Sequence, residues 1–206
     1  MRLDAGEGVL SLTTAPANAE KDRLPGDPGV WVFITADVFV FGLFFLLFSL
    51  GRVAHSALYE RSRLALNPTL GLLNTLILLT SSWFMVLAVT AAREGARRRV
   101  MRNIALAMAV GSVFAVTKII EYSAKIHAGI TMLSNEFFTY YFVFTGIHFL
   151  HYIIGMVVLM ICFHKAKTQP IDGKYAVWIE SSGCYWHMVD LLWVVLFPML
   201  YLLRAA

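Results

Sequence analysis

Five long apolar runs constrain this chain of 206 residues more than any other feature of its sequence. An α-helix needs about 20 mainly apolar residues to cross roughly 30 Å of lipid hydrocarbon. Runs of that length are predicted at residues 30–53, 70–92, 103–125, 137–163 and 179–203. None of them alternates polar and apolar residues as the strands of a membrane barrel do. The sequence therefore predicts an all-α integral membrane protein, a bundle of five transmembrane helices.

The composition favours the same class of protein. Hydrophobic residues make up 59% of the chain and charged residues 15%, whereas soluble domains hold about 45–50% and about 25%. Cys162 and Cys184 form neither a paired metal motif nor a haem-attachment motif. The basic residues cluster in short gaps between the apolar runs, which suits a membrane topology signal better than contact with nucleic acid. We expect no nucleic-acid partner.

The positions of Lys and Arg predict how the helices are oriented. Eleven of these residues lie in the N-terminal tail and in the second and fourth gaps, and five lie on the opposite side. Because cytoplasmic loops carry the excess of basic residues, we expect a cytoplasmic N-terminus and a periplasmic C-terminus. Residues 1–25 lack an apolar core long enough for a secretory signal and are predicted to form a flexible tail. The transmembrane domain is predicted at residues 26–206.

Each predicted helix carries polar groups that lipid would exclude. A charged group in the hydrocarbon costs about 3 kcal/mol or more, so such residues normally face the bundle interior and pair with one another. We expect them to be buried structural groups or contacts to a partner protein. These candidate site residues are Asp37, Lys118, Glu121, Tyr122, His148, His151, His187 and Asp190.

Helical spacing predicts which of these side chains share a face. Lys118, Glu121 and Lys125 follow one another at spacings of three and four residues, with the acid in the favourable order before Lys125. That spacing predicts an ion-pair ladder within one helix, which has either a structural role or a role in partner contact or proton transfer. His148 and His151 are also three residues apart. Their simplest role is hydrogen bonding between neighbouring helices.

Two aspartates within the predicted helices, Asp37 and Asp190, also need partners. His187 and Asp190 are three residues apart on the last predicted helix, so we expect Asp190 or Asp37 to orient the His187 imidazole and tie this helix to its neighbours. Asp37 has no basic residue within one turn of its own helix. Either another helix neutralises this carboxylate, or it holds a proton.

These residues stand in five motifs that resemble the subunit III family of haem-copper respiratory oxidases. The motifs, in chain order, are "WVFITADVFVFGLFF", "LNTLILLTSSW", "KIIEYSAKI", "FTGIHFLHYIIG" and "ESSGCYWHMVDLLWVVLFPMLYL". The resemblance covers residues 25–204. Each motif alone is a weak signal, but five in order on five successive helices form a specific one.

The chain departs from this family in three respects. Members of the family usually have seven spans, and this chain resembles only the last five. The family's buried glutamate is Asp37 here, and the glutamine that usually precedes its Glu-Tyr pair is Lys118. In these departures the chain resembles short bacterial members such as NorE, the accessory protein of nitric oxide reductase.

The resemblance implies a non-catalytic subunit of the bacterial inner membrane that packs beside a haem-copper catalytic subunit. On this basis we expect a nitric oxide reductase as the partner, bound phospholipid and no cofactor. The alternative partner is a cytochrome c oxidase, whose proton uptake and stability subunit III supports. By position, Asp37 matches the carboxylate near the catalytic subunit. The positions that match buried polar groups bordering the lipid are Glu121, His148, His151, His187 and Asp190.

Two other functions remain open from the residues alone. One is a membrane haem or metal enzyme, because two antiparallel helices could place imidazoles on both faces of a haem; its ligands would be His148, His151 and His187. The other is a proton-coupled transporter, against which the absence of an inverted repeat counts; its relay would consist of Asp37, Glu121 and Asp190.

Overall fold

The computed structural model describes residues 25–203, which contain helices and no strand. The helices are α1 (Pro28–Ala54), α2 (Ser56–Arg63), α3 (Pro68–Arg93), α4 (Arg97–His127), α5 (Glu136–Thr168) and α6 (Gly173–Phe197), followed by a π-helical turn at Pro198–Leu202. Five of the helices are long and apolar enough to cross a membrane. The predicted five-helix architecture is confirmed. The tail predicted at residues 1–25 lies outside the described residues except for residue 25, and the orientation of the helices stays a prediction.

Four of the long helices begin at a residue whose side chain caps the first turn. Side-chain oxygens accept backbone N–H groups at the starts of α1, α3, α5 and α6, and the capping residues are Asp27, Asn67, Asn135 and Asp172. Such caps satisfy donors that a helix start leaves free. At α1, α3, α5 and α6 the helix starts ahead of the predicted apolar run, because the polar cap lies outside that run.

The bundle is centred on α6, which contacts α3, α5 and α1. In its most apolar stretch 67% of α6 is buried, compared with 6% of α1. Helix α1 therefore lies at the edge of the bundle. It contacts α5 largely through aromatic rings, such as Phe44 against Phe144 and Phe48 against Phe137.

Glycines allow large side chains of α6 to approach the neighbouring helices. A Cβ atom at Gly155 of α5 would lie 2.8 Å from the ring of Trp186, and one at Gly71 of α3 would lie 2.5 Å from the ring of Phe197. Neither position can hold a larger residue without movement of these rings. The two glycines therefore determine how closely α6 packs against α3 and α5.

The short helix α2 was not predicted, because its eight residues are too few to give a hydropathy signal. It is anchored by the buried ring of Tyr59, which packs against Phe48 and Phe137. Next to α2, His55 Nδ1 lies 3.0 Å from Glu136 Oε2 at the start of α5. Burial and the Glu136 carboxylate raise the pKa of Tyr59 above its usual value.

The chain departs from α-helical geometry at Pro198. Proline lacks an N–H group and cannot continue the hydrogen-bond pattern of α6, and a π-helical turn follows at Pro198–Leu202. Arg63 of α2 donates a hydrogen bond of 3.2 Å to the carbonyl oxygen of Tyr201 within this turn. The turn directs the Tyr201 ring into the bundle, where it is buried.

Candidate functional site

One cluster of polar residues lies in the second half of α4. Lys118 Nζ lies 2.9 Å from Glu121 Oε2, and Lys125 Nζ lies 3.4 Å from Glu121 Oε1. The predicted ion-pair ladder is therefore confirmed. Lys118, Glu121 and Lys125 are exposed by only 1%, 4% and 7%, so the ladder belongs to the interior of the bundle and not to its surface.

Two tyrosines complete this ionic cluster. The hydroxyl groups of Tyr141 on α5 and Tyr201 in the π-helical turn both donate to Glu121 Oε1, at 2.9 and 2.8 Å. Sequence spacing did not predict these contacts, because both tyrosines come from other parts of the chain. Tyr122, which was a candidate, lies beside the cluster and exchanges a hydrogen bond of 2.5 Å with Thr145.

The Lys118 ammonium is surrounded by acceptors and aromatic rings. In addition to Glu121 it lies 3.4 Å from the Tyr141 hydroxyl oxygen and 3.2 Å from that of Tyr201. It also lies 4.8 Å from the ring centroid of Trp193. Hydrogen-bond acceptors and ring faces both stabilise a cation. The Lys118 charge is thus held by α4, α5 and α6 together.

The second polar contact joins the edge helix to the bundle. Asp37 Oδ1 on α1 lies 3.2 Å from His151 Nε2 on α5. The other ring nitrogen of His151 is 2.9 Å from the carbonyl oxygen of Ile147. Of the two possibilities left open for Asp37, the structure shows contact with a basic group on another helix.

The prediction that Asp190 or Asp37 is the partner of His187 is wrong. Neither Asp190 nor Asp37 orients this imidazole, because His187 Nδ1 is hydrogen-bonded to the Ser82 hydroxyl on α3. Residues three apart on a helix share a face, but the close approach of α3 offers His187 a nearer polar group. Asp190 is buried, and neither of its carboxylate oxygens makes a hydrogen bond within residues 25–203.

Of the two histidines of α5, His151 makes the predicted contact with a neighbouring helix, through Asp37, and for His148 the prediction is wrong. His148 is completely buried between the rings of Phe114 and Trp193, with centroid separations of 5.6 and 5.2 Å. Neither of its ring nitrogens makes a hydrogen bond within the part of the chain that the structure describes. In that same part, no three His, Cys, Asp or Glu residues are grouped as a metal ligand set. His148, His151 and His187 therefore do not converge on one centre.

The fold and this interior define a multi-pass membrane protein in which polar side chains from different helices contact one another, as Asp37 does with His151 and Glu121 with Tyr141. A family model described as cytochrome c oxidase subunit III matches residues 25–204. The chain belongs to that family.

Individual relatives agree with this assignment. The chain is 31% identical over 185 residues to cytochrome c oxidase subunit 3 of Schizophyllum commune, covering 84% of this chain and 66% of the relative. The proteins of the same name from Pelomedusa subrufa and Equus caballus are 29% and 30% identical over 184 residues, covering 84% of this chain and 67% of each relative. The chain thus spans about two thirds of the length of the curated relatives that it matches.

Proposed function

We propose that this chain is a non-catalytic membrane subunit of a haem-copper respiratory oxidase and fills the role of cytochrome c oxidase subunit III. The observation that carries this proposal is the family match over residues 25–204, which includes all five membrane-spanning helices. The paired ionic groups of the interior are consistent with a scaffold that holds a fixed shape beside a catalytic subunit. The oxygen chemistry would then belong to that subunit.

The catalytic subunit is proposed to contact α1. This helix exposes a long apolar face, formed by Val38, Phe39, Leu43, Leu46, Leu50 and Val53. The Asp37–His151 pair lies at the boundary between α1 and α5, so contact with α1 would act on this pair directly. Contacts between membrane helices depend on close fit rather than on the exclusion of water. A bulky substitution on this face should therefore weaken assembly.

A bound phospholipid is proposed in the open groove between α1, α5 and α6. The groove is lined mainly by apolar side chains, among them Val30, Phe33 and Ile154, together with Tyr185 and Asp27. Such a lining suits an acyl chain with a polar group at one end. No cofactor is expected in this subunit.

A nitric oxide reductase of the NorE-associated type is a second candidate partner. It is favoured by the two departures in the interior, Asp37 and Lys118, which resemble the short bacterial members. The matched relatives are named as cytochrome c oxidase subunits, so the oxidase is proposed first. The identity of the co-purified catalytic subunit distinguishes the two candidates.

The proposal is tested by purifying the tagged chain from its native membranes in a mild detergent. We expect a haem-containing catalytic subunit of an oxidase to co-purify, identified by mass spectrometry and by its visible spectrum. Recovery of a nitric oxide reductase instead would favour the second candidate. Recovery of the chain without any haem protein, at several detergent strengths, would contradict both.

The contact face is tested with two matched substitutions. Leu43 on α1 and Leu76 on α3 are exposed to the same degree, 55% and 54%. Leu43→Trp should reduce the amount of catalytic subunit recovered, whereas Leu76→Trp should not. Equal effects of the two substitutions would show that the partner does not bind specifically to α1.

The location is proposed to be the bacterial inner membrane, with the N-terminus in the cytoplasm. The distribution of Lys and Arg supports that orientation. Fusions of alkaline phosphatase, which is active only in the periplasm, test it directly. We expect activity for a fusion after residue 206 and none for a fusion in the loop between α3 and α4.

A further inference from the structure

The chain enters α1 through a strap of three residues, 25–27, that lies on α6. The backbone N–H of Gly26 donates to Glu180 Oε2 at 3.2 Å, and the N–H of Asp27 donates to Ser181 Oγ at 2.9 Å. Both hydrogen bonds join backbone donors of the strap to side-chain acceptors of α6. Because water can replace these acceptors, the strap can open locally while the helices stay folded.

The end of α3 holds Glu180 in place. The second carboxylate oxygen of this residue, Oε1, accepts a hydrogen bond of 2.8 Å from Nε of Arg93, which is the last residue of α3. The Glu180 side chain is only 16% exposed, whereas that of Arg93 is 60% exposed. Arg93 therefore orients the carboxylate from the outside of the bundle, and Glu180 joins the strap, α3 and α6 at one point.

Gly26 allows the strap to lie directly on the backbone of α6. Its φ of 80° lies in the left-handed region that glycine adopts readily. A Cβ atom at this position would lie 3.0 Å from the backbone N and Cα atoms of Ser181. Backbone atoms of a helix cannot rotate away as a side chain can, so a larger residue would lift the strap from α6.

The strap lies over Cys184 and fixes the start of α1. The carbonyl oxygen of Pro25 is 3.9 Å from Cys184 Sγ and accepts a hydrogen bond of 2.9 Å from Trp31 Nε1. The first turns of α1 border an open groove of about 440 Å³ towards α5 and α6, so they are not tightly packed there. The next polar contact of α1 with another helix is that of Asp37 with His151.

We propose that the strap is a releasable attachment of α1, which Glu180 keeps closed. While Glu180 accepts hydrogen bonds from Gly26 and Arg93 together, the start of α1 lies against α6. When the strap opens, its N–H groups bond to water, the first turns of α1 move away from α6, and Cys184 becomes more accessible. This movement is a property of the chain alone, so it does not depend on which catalytic subunit the chain joins.

The test measures how fast N-ethylmaleimide alkylates Cys184 in the purified full chain in detergent, with peptide mass spectrometry to assign the labelled cysteine. When opening and closing are fast relative to alkylation, the rate is proportional to the open fraction. Glu180→Gln should be labelled about fivefold to tenfold faster than the wild-type chain, because glutamine has one acceptor oxygen in place of two and loses one hydrogen bond. Ser181→Ala should also be labelled faster, because the N–H of Asp27 loses its acceptor.

Glu94→Gln is the matched control for Glu180→Gln. Glu94 pairs with Arg99 at the same end of the bundle, at 2.5 Å, and within residues 25–203 no hydrogen bond or ion pair joins it to the strap. Its substitution also removes one negative charge and one ion pair, and Cys184 should be labelled at the wild-type rate. If both substitutions accelerate labelling equally, the effect comes from the loss of charge, and the proposal fails.

Two glycine substitutions test the contact of the strap with α6. Gly26→Ala and Gly129→Ala both place alanine at a positive φ, of 80° and 75°, so they share the same kind of backbone strain. Only residue 26 meets the backbone of α6, since nothing lies within 4 Å of a Cβ atom at residue 129. Gly26→Ala should accelerate the labelling of Cys184, whereas Gly129→Ala should not. Equal labelling rates for the two variants would contradict this contact.

Cys162 distinguishes opening of the strap from unfolding of the bundle. It is completely buried, so we expect its labelling to stay slow in all of these variants. Parallel acceleration at Cys162 and Cys184 in Glu180→Gln would show that Glu180 stabilises the whole bundle, and would overturn the proposal. An unchanged rate at Cys184 in Glu180→Gln would overturn it as well. So would a wild-type Cys184 that reacts as fast as in the chain denatured in dodecyl sulfate, because the strap would then not cover it.

Discussion

Asp37 Oδ1 and His151 Nε2 lie 3.2 Å apart and connect the edge helix α1 to α5 across the protein interior. The geometry also determines the tautomer of the imidazole. Because His151 Nδ1 faces the carbonyl oxygen of Ile147 at 2.9 Å, this nitrogen carries a hydrogen and donates it. Nε2 therefore faces the Asp37 carboxylate, and the contact joins one carboxylate oxygen to one ring nitrogen. A partner that moves α1 would change this contact first.

Asp37→Asn should weaken the functional effect of the subunit while leaving the fold intact. The aromatic contacts of α1 with α5 remain, and the asparagine side chain can still form a hydrogen bond to His151. We expect a loss of about 1 kcal/mol in unfolding free energy, because a neutral hydrogen bond replaces one to a charged group. Turnover of the reconstituted oxidase should decrease.

A control for this prediction is the same substitution ten residues earlier. Asp27 caps α1 through a 2.8 Å hydrogen bond to the backbone of Gly29, and asparagine caps helices equally well. Asp27→Asn should therefore change neither melting temperature nor turnover. Unchanged turnover with Asp37→Asn would mean that the charged contact between Asp37 and His151 is not functional.

Glu121→Gln should destabilise the bundle strongly. It leaves the Lys118 and Lys125 ammonium groups in the interior without a carboxylate, and breaking a buried ion pair from one side costs about 3–5 kcal/mol. Adding Lys118→Met should restore part of this loss, because it removes one of the two unpaired charges. A double-mutant cycle measured by melting in detergent checks the coupling. Additive effects of the two substitutions would contradict the ion pair.

Gly155→Ala should destabilise the protein, whereas Gly146→Ala on the same helix should not. The Cβ atom at residue 155 would lie 2.8 Å from the Trp186 ring, while nothing lies within 4 Å at residue 146. Overpacking typically costs about 1–3 kcal/mol, and alanine in an open helical position gains up to about 1 kcal/mol over glycine. Melting temperatures of the two variants should move in opposite directions. A similar shift for both would argue against the close contact of α5 with α6.

His187 and Asp190 should respond differently to substitution although they stand three residues apart. His187→Ala and Ser82→Ala should each cost about 1 kcal/mol and should not be additive, because they remove the same hydrogen bond. Asp190→Asn should cost less, since the carboxylate makes no hydrogen bond within residues 25–203. The three unfolding free energies in one detergent test this order. A larger loss for Asp190→Asn would point to a partner of Asp190 in the assembled complex.

Much of the fold follows from local sequence. The five apolar runs predict five spanning helices, since hydrocarbon thickness determines how many apolar residues a helix needs. The ladder of Lys118, Glu121 and Lys125 follows from the 3.6-residue period of one helix. The helix ends differed from the predicted runs by several residues at α4, α5 and α6, because caps and loop contacts lie outside the apolar core. Helix α2 has no such signal, because its eight residues are too few to form an apolar run.

The contacts between helices could not be predicted in this way. Spacing within one helix pairs residues on the same face, and it assigned His187 to Asp190 or Asp37. The structure assigns it to Ser82, because α3 approaches α6 closely at that level. Likewise, nothing near Glu121 in the sequence indicates Tyr201, which reaches the carboxylate only because the π-helical turn after Pro198 directs it inward.

The sequence by itself determined that residues 25–203 form five helices long and apolar enough to cross a membrane, which motifs they carry and which ionisable residues are expected inside. These properties depend on apolar length and helical period, and both can be read along one segment. Only the tertiary structure decided that Asp37 meets His151, that Tyr141 and Tyr201 donate to Glu121 and that His187 bonds to Ser82. Those outcomes depend on distances between different helices, which are determined by how Gly71, Gly155 and the aromatic side chains pack around α6.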